Sequence, residues 1–348
     1  MSRYAFLILP SHNRVYAEAS ARLVQAELEV FSAAVLGGGI REVGGADIGG
    51  VPYVTFEADE LSGRDAALLA NLSSLYALFE VGGDGLLRPV PLRRLDRYGD
   101  DLITILKYAG KTNEQFTKLL LNVTLLSSAF APQMLTRQFA VLDPLCGRGT
   151  TLNQALMYGF DAYGCDTSRR DVEAYAVFIQ RWLKDKRLKH QASFAPVRRD
   201  RQVVARRLTA SFAAAKEDYK AGDVQHLDVV DAETTRLLEF FKPGSADLVV
   251  ADLPYGVQHA SRSGAEGKSQ ARSPLALLTE AAPVWAKALR PGGALGVSWN
   301  TFVAGRDEAA AALTGAGLTV LDDSPYLNFR HRVDQAIMRD VLIARKSG

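Results

Sequence analysis

Asp143-Pro144-Leu145-Cys146-Gly147-Arg148-Gly149-Thr150 follows directly on the apolar run Phe139-Ala140-Val141-Leu142. A short apolar run ending in a Gly-rich turn and then a helical pattern reads as a buried parallel strand, a tight turn and a helix N-terminus. Glycine lets the backbone approach a ligand closely while the helix N–H groups face it. A dinucleotide-binding turn requires a third glycine three positions after Gly149, where this chain has Leu152. The phosphate-binding Gly-Lys-Ser/Thr pattern is missing as well. Asp143 and Pro144 open the turn and place a carboxylate at the strand end, where it can accept from an ammonium group.

Outward from this turn the chain alternates strand and helix. The strand expected over 161–165 ends in Asp166. An acidic side chain there can take the two hydroxyls of a ribose, and it also reads as the N-cap of the helix beginning at Arg169. A third strand, expected over 219–223, ends in Gly222-Asp223 and offers a carboxylate to an adenine amino group. Further strands are expected over 247–251, 294–299, 318–321 and 336–344, the last antiparallel. The run 247–251 carries the second motif, Asp252-Leu253-Pro254-Tyr255-Gly256. An exocyclic amino group is a poor nucleophile because its lone pair is delocalised into the ring. Two acceptors that take its hydrogens, here the Asp252 carboxylate and the Leu253 carbonyl, favour a pyramidal nitrogen. Pro254 stiffens the turn, and Tyr255 offers a face on which a flipped base stacks. Such a site needs neither a metal nor a covalent nucleophile.

The two motifs, together with Lys107-Tyr108-Ala109-Gly110-Lys111-Thr112-Asn113-Glu114-Gln115-Phe116 upstream, resemble those of the amino-methyltransferases with the Asp/Asn-Pro-Pro-Tyr signature. Within them the chain is similar to the tRNA guanine-N2 methyltransferase group, whose members often carry an N-terminal RNA-binding THUMP domain. The resemblance covers roughly residues 105–345. It implies a Rossmann-like fold with an antiparallel last strand and S-adenosylmethionine as cofactor. It places Asp143, Pro144, Cys146, Gly147, Gly149, Thr150, Asp166 and Asp223 around that cofactor, with Lys111, Thr112 and Phe116 shaping the methionine side. Leu253 stands where the signature usually has proline, and the N-terminal unit is shorter than a complete THUMP module with its companion domain.

The chain has 348 residues, enough for two domains. Residues 1–90 read as a small α+β unit: a strand from Tyr4, a helix over 15–31, a Gly-rich stretch, a strand over 51–57, a helix over 62–72 and a strand over 76–81. That order is compatible with a ferredoxin-like domain. Residues 91–110 read as a linker and 111–348 as the doubly wound α/β domain. The helix over 112–129 has an apolar face at Phe116, Leu119, Leu120, Val123 and Leu126, with Thr112 as its expected N-cap and Gln115 completing a capping box. A net charge of +2 makes any nucleic-acid surface local. Between residues 181 and 220 there are 12 Lys or Arg against 4 Asp or Glu. This segment is longer than a usual helix-to-strand connection, and it reads as a phosphate grip, a solvated arm or a dimer contact. A loop over 257–273 with His259, Arg262, Lys268 and Arg272 is placed to close over a substrate. Arg330-His331-Arg332 precedes the last strand, where it is placed to face a substrate, and Trp299-Asn300 ends another strand and reads as pocket lining or as its cap. Cys146 and Cys165 are too few for a disulfide framework. No apolar run reaches membrane-spanning length, so a cytoplasmic protein without membrane or metal partners is expected.

The expected function is methyl transfer to an exocyclic amino group of an RNA base, guanine N2 of tRNA first. Adenine N6 in DNA or RNA, or an amino group on a small metabolite, is the alternative within the same chemistry. A non-catalytic nucleic-acid-binding protein that keeps the fold is the alternative outside it.

Overall fold

The computed structural model describes residues 1–348 except 12, 84, 109 and 256–272. The expected loop over 257–273 therefore lies, apart from Ser273, outside the described residues, as does Gly256.

The N-terminal unit runs β1 (Ser2–Ile8), α1 (Arg14–Val35), β2 (Arg41–Ile48), β3 (Val51–Ala58), α2 (Gly63–Leu69), β4 (Leu75–Val81) and β5 (Leu87–Pro89). Its antiparallel sheet has the order β2-β3-β1-β4-β5, and the first four strands with both helices form the βαββαβ arrangement of ferredoxin-like domains. The strand β2 falls in the Gly-rich stretch. Its glycines carry no side-chain pattern, so the alternation that marks a strand is absent there.

After α3 (Asp101–Thr104) comes α4 (Glu114–Leu126), then β6 (Ala140–Asp143), α5 (Thr150–Met157), β7 (Asp161–Asp166), α6 (Arg169–Asp185), β8 (Lys189–Arg199) and β9 (Gln202–Ala213). The chain continues through α7 (Lys216–Ala221), β10 (Gln225–Asp231), β11 (Ala246–Asp252), α8 (Pro274–Ala288), β12 (Leu289–Asn300), α9 (Arg306–Gly315), β13 (Thr319–Leu321), β14 (His331–Arg332) and β15 (Met338–Arg345). The large sheet has the order β13-β15-β12-β11-β6-β7-β10-β9-β8. Strands β12, β11, β6, β7 and β10 are parallel, and β15 enters antiparallel to β12. This is the expected doubly wound fold.

Two expectations are corrected here. Residues 219–223 are not a strand: Lys216–Ala221 is helical, with Glu217 and Asp218 in the first turn and Lys220 in the last, charges that complement the helix dipole. Gly222 closes it in the left-handed conformation. The third parallel strand is Gln225–Asp231. The basic segment is also more ordered than a connection. It forms a long hairpin, β8–β9, that adds two antiparallel strands to β10.

Helices α4, α5 and α6 cover one face of the large sheet, while α8 and α9 cover the other. Gly296 in β12 lets α4 sit close, because a Cβ there would run into Thr124. The apolar core under α4 continues without a break into the N-terminal sheet through α1, from Phe116 and Leu120 to Leu23, Phe31 and Phe6. Across this junction Glu27 of α1 is fully buried and accepts from the Ser73 N–H and hydroxyl and from the Asn122 amide of α4. Burial pushes its carboxyl up, against those hydrogen bonds. The stretch after β5 is anchored at two points: Leu102 is buried, and the Tyr98 hydroxyl donates to Gln225 at 2.5 Å. Among the described residues no helix is long and apolar enough to cross a membrane.

Candidate active site

Strand β6 ends at Asp143, and the chain turns through Gly147 (φ +49°) and Gly149 (φ +81°) into α5. A Cβ at Gly149 would come within 2.4–2.7 Å of three ring atoms of Tyr175, which is itself held by its hydroxyl on Asn153. Only glycine permits this turn. Strand β7 ends one position over at Asp166. One carboxylate oxygen accepts from the Gly147 N–H and the other from the Ser168 N–H, each at 2.8 Å. Asp166 thus ties the glycine turn to the start of α6. The N-cap of that helix is Ser168, whose hydroxyl accepts from the Asp171 N–H.

Asp143 is buried and accepts from the Leu145 N–H at 3.0 Å. Burial raises its carboxyl to about 7, and the nearby Asp166 and Asp252 push the same way. Pro144 is buried in the turn. Cys146 lies against Gly164, and burial first, then the surrounding carboxylates, hold its thiol protonated. The Thr150 hydroxyl bonds Tyr108 at 3.0 Å.

The second motif ends β11, separated from β6 by no other strand. Asp252 pairs in register with Ser298 of β12. Its carboxylate collects three hydroxyls: Thr112 at 2.6 Å and Tyr255 at 2.7 Å on one oxygen, and Ser298 on the other. The Leu253 N–H donates to the Ser298 carbonyl at 2.9 Å, which fixes the turn. Arg339 of β15 donates to the Tyr255 hydroxyl and stands 3.8 Å from Asp252. Its guanidinium lies 4.1 Å from the Phe116 ring centre and 5.0 Å from that of Tyr255. Asn300 donates to the Tyr255 carbonyl at 3.3 Å and to the Ala336 carbonyl at 3.0 Å.

The two motifs open onto one cleft of about 550 Å³. Asp143, Cys146, Gly147 and Thr150 line one part of it, and Asp252, Leu253, Pro254 and Tyr255 another. Thr112 and Phe116 line it from the α4 side. A smaller cavity of about 220 Å³ lies across Tyr255, walled by α1, the segment before α4 and the β14–β15 region.

Several expected residues stand elsewhere. Asp223 is exposed, before β10 rather than after it, and is not among the residues lining the cleft. It lies at the opposite end of the parallel sheet from Asp143, Asp166 and Asp252. The strand end next to Asp166 is Asp231, with which it pairs in register. Lys111 turns away to the Ile103 carbonyl and Glu114, and lines the smaller cavity rather than the cleft. Thr112 is not the N-cap of α4: Asn113 is, by accepting from the Phe116 N–H. This frees the Thr112 hydroxyl for Asp252, and Gln115 reaches the Leu9 carbonyl instead of closing a capping box. In the basic segment Arg199 pairs with Glu239, Arg206 with Glu173 and Arg207 with Asp228. Much of its charge is thus met within the chain. Ser298 and Arg339 carried no local motif. Only the fold brings them to Asp252.

S-adenosylmethionine carries an ammonium and a sulfonium, both cationic. The cleft fits such a ligand because Asp143 is buried without a cationic partner among the described residues and is pressed by two further carboxylates. The glycine turn supplies the close backbone approach. Asp166 stands at the next strand end but, like Asp223, is not among the residues lining the cleft, and both its oxygens accept from backbone N–H groups.

No protein-family model and no curated protein matches this sequence. Among solved structures the chain is similar to TrmN from Thermus thermophilus, at 12% identity over 99% of this chain and 100% of that one, with a TM-score of 0.44. It is similar to the N-methyltransferase NodS from Bradyrhizobium japonicum WM9, at 14% identity over 67% and 96%, with a TM-score of 0.38. It is also similar to 1,6-didemethyltoxoflavin-N1-methyltransferase from Burkholderia thailandensis, solved with S-adenosylhomocysteine, at 17% identity over 62% and 73%, with a TM-score of 0.35.

Proposed function

We propose that this protein is an S-adenosylmethionine-dependent N-methyltransferase acting on an exocyclic amino group of an RNA base, with guanine N2 of tRNA as the substrate. One observation carries the reading: the glycine turn after Asp143 and the Asp252–Tyr255 turn open onto the same cleft. When bound, the cofactor supplies a methyl group activated by its sulfonium. Asp143 would hold its ammonium, and Asp166 would take its ribose hydroxyls. Asp252 and the Leu253 carbonyl accept the two amino hydrogens and so turn the nitrogen lone pair toward the cleft. The hydroxyls of Thr112, Ser298 and Tyr255 hold Asp252 in one orientation, and positioning of this kind supplies much of the rate. On methylation the nitrogen would have to shed a proton, and Asp252, the acceptor of its amino hydrogen, is placed to take it.

The test is transfer of labelled methyl from S-adenosylmethionine to unmodified tRNA, to DNA and to a metabolite extract, followed by nucleoside mass analysis. N2-methylguanosine in tRNA, formed at a rate that falls steeply with salt, supports the proposal. Label only in DNA adenine or in small molecules refutes the substrate, and no label in any pool refutes the activity.

A further inference from the structure

The small cavity across Tyr255 holds two polar atoms that the mechanism above does not use. His331 and Arg339 line it, and each is 3% exposed. The His331 Nε2 and the Arg339 Nε have no hydrogen-bond partner among the described residues. Buried polar groups are as a rule satisfied, so two unpaired ones at one cavity point to a ligand. Their chemistry is fixed. His331 Nδ1 lies 2.9 Å from the Phe329 carbonyl. A carbonyl only accepts, so Nδ1 carries the proton and Nε2 presents a lone pair. Arginine only donates. The ring of His331 packs against Phe116 and Tyr16, which holds its orientation.

The Arg339 guanidinium stands 3.8 Å from Asp252, the carboxylate that would take the amino group, and the His331 acceptor shares the cavity with it. Guanine presents a matching edge: the N2 amino group, the N1–H donor and the O6 acceptor, side by side. Adenine presents N1 as a bare acceptor and has no carbonyl, so His331 would face a second lone pair.

We propose that the cavity behind Tyr255 is the base-reading recess, in which His331 Nε2 accepts from N1–H and Arg339 donates to O6, selecting guanine over adenine. This rests on the amino-methylation reading and deepens it. Exposed Arg332, which lines the cavity, would meet the phosphates of an entering nucleotide. His331 and Arg339 are then specificity residues, while Asp252 remains the group that handles the reacting nitrogen.

The experiment compares tRNA transcripts carrying guanine or 2-aminopurine at the position that the wild-type protein methylates. 2-Aminopurine keeps the reacting amino group and lacks both N1–H and O6. The wild-type protein is expected to prefer guanine by about 100-fold or more in kcat/KM, because an analogue without the matching groups leaves buried polar atoms unpaired. His331→Leu is expected to cut that preference at least tenfold. His331→Gln, which keeps an acceptor, is expected to retain most of it. If the Leu variant does not fold, His331→Asn, polar but short of reach, is expected to show the same fall. Binding of S-adenosylhomocysteine, measured in parallel, confirms the fold of each variant. An unaltered preference in a folded Leu or Asn variant overturns the recess while leaving the methyltransferase reading intact. Absence of tRNA methylation by the wild-type protein overturns both.

Discussion

The proposed pairing of Asp143 with the cofactor's ammonium predicts a cofactor affinity that depends on pH. The Asp143 carboxyl ionises near 7 in the folded chain, against an ordinary value of 3.8. Below 3.8 both states are protonated and the group costs nothing. As pH rises from 3.8 toward 7 the unfolded chain ionises first, so the ligand-free protein loses about 4 kcal/mol, at about 1.4 kcal/mol per pH unit. A bound ammonium reverses the sign by favouring the ionised form. Binding below pH 7 must then release a proton, and affinity for S-adenosylhomocysteine is expected to be about tenfold weaker at pH 6 than at pH 8. Isothermal titration calorimetry at the two pH values measures this directly. 5′-Methylthioadenosine, which lacks the amino-acid portion, serves as the control and is expected to bind with little change. Asp143→Asn is expected to flatten the profile for S-adenosylhomocysteine and to weaken binding most at pH 8. Parallel pH slopes for the two ligands, or an unchanged slope in Asp143→Asn, would refute the assignment of Asp143 to the ammonium.

Asp252→Ala is expected to lower kcat on the order of 10³-fold with cofactor affinity within about twofold of wild type; equal loss of both would show that the site is misassigned. Ser298→Ala removes one of the hydroxyls that orient Asp252 and is expected to cost roughly tenfold in kcat with little change in melting temperature, read in single-turnover assays. Gly149→Ala forces a side chain into the Tyr175 ring at a positive φ and is expected to cost about 2–3 kcal/mol in urea unfolding together with cofactor binding. Glu27→Ala strands the Ser73 and Asn122 donors in the interior. It is expected to cost about 2–4 kcal/mol, and calorimetry should still show one transition, since the two sheets share a core.

The parts of the fold legible in the sequence are those specified by neighbouring residues. The strand, turn and helix around Asp143 follow from an apolar run, two glycines and a helical pattern. The Asp252–Tyr255 turn is equally local. Helix α4 was visible from its apolar stripe, but its start was displaced by one residue, because Thr112 and Asn113 are both good caps and only the fold shows that Asp252 claims the threonine. Asp223 was misplaced because a six-residue helix closed by Gly222 leaves the same short polar-to-apolar signature as a strand end. The hairpin β8–β9 was hidden by its arginines. Several of them pair with Glu173, Asp228 and Glu239, partners far away in the sequence. Ser298, His331 and Arg339 reach the site through sheet register, which a single sequence does not display.

The hairpin also determines where the sheet stops. Its turn, Asp200-Arg201, has both residues at positive φ, the conformation of a tight two-residue hairpin. Without β8 and β9, β10 would offer a bare row of backbone donors and acceptors flanked by Leu227, Val229 and Val230, an invitation to a second chain. With them, the outermost strand is β8, where Pro196 removes a donor and Lys189 and Arg198 carry positive charge. The hairpin therefore works as a guard against edge-to-edge aggregation. A chain shortened by joining Leu188 to Ala214 would be expected to lose solubility before it lost its parallel core.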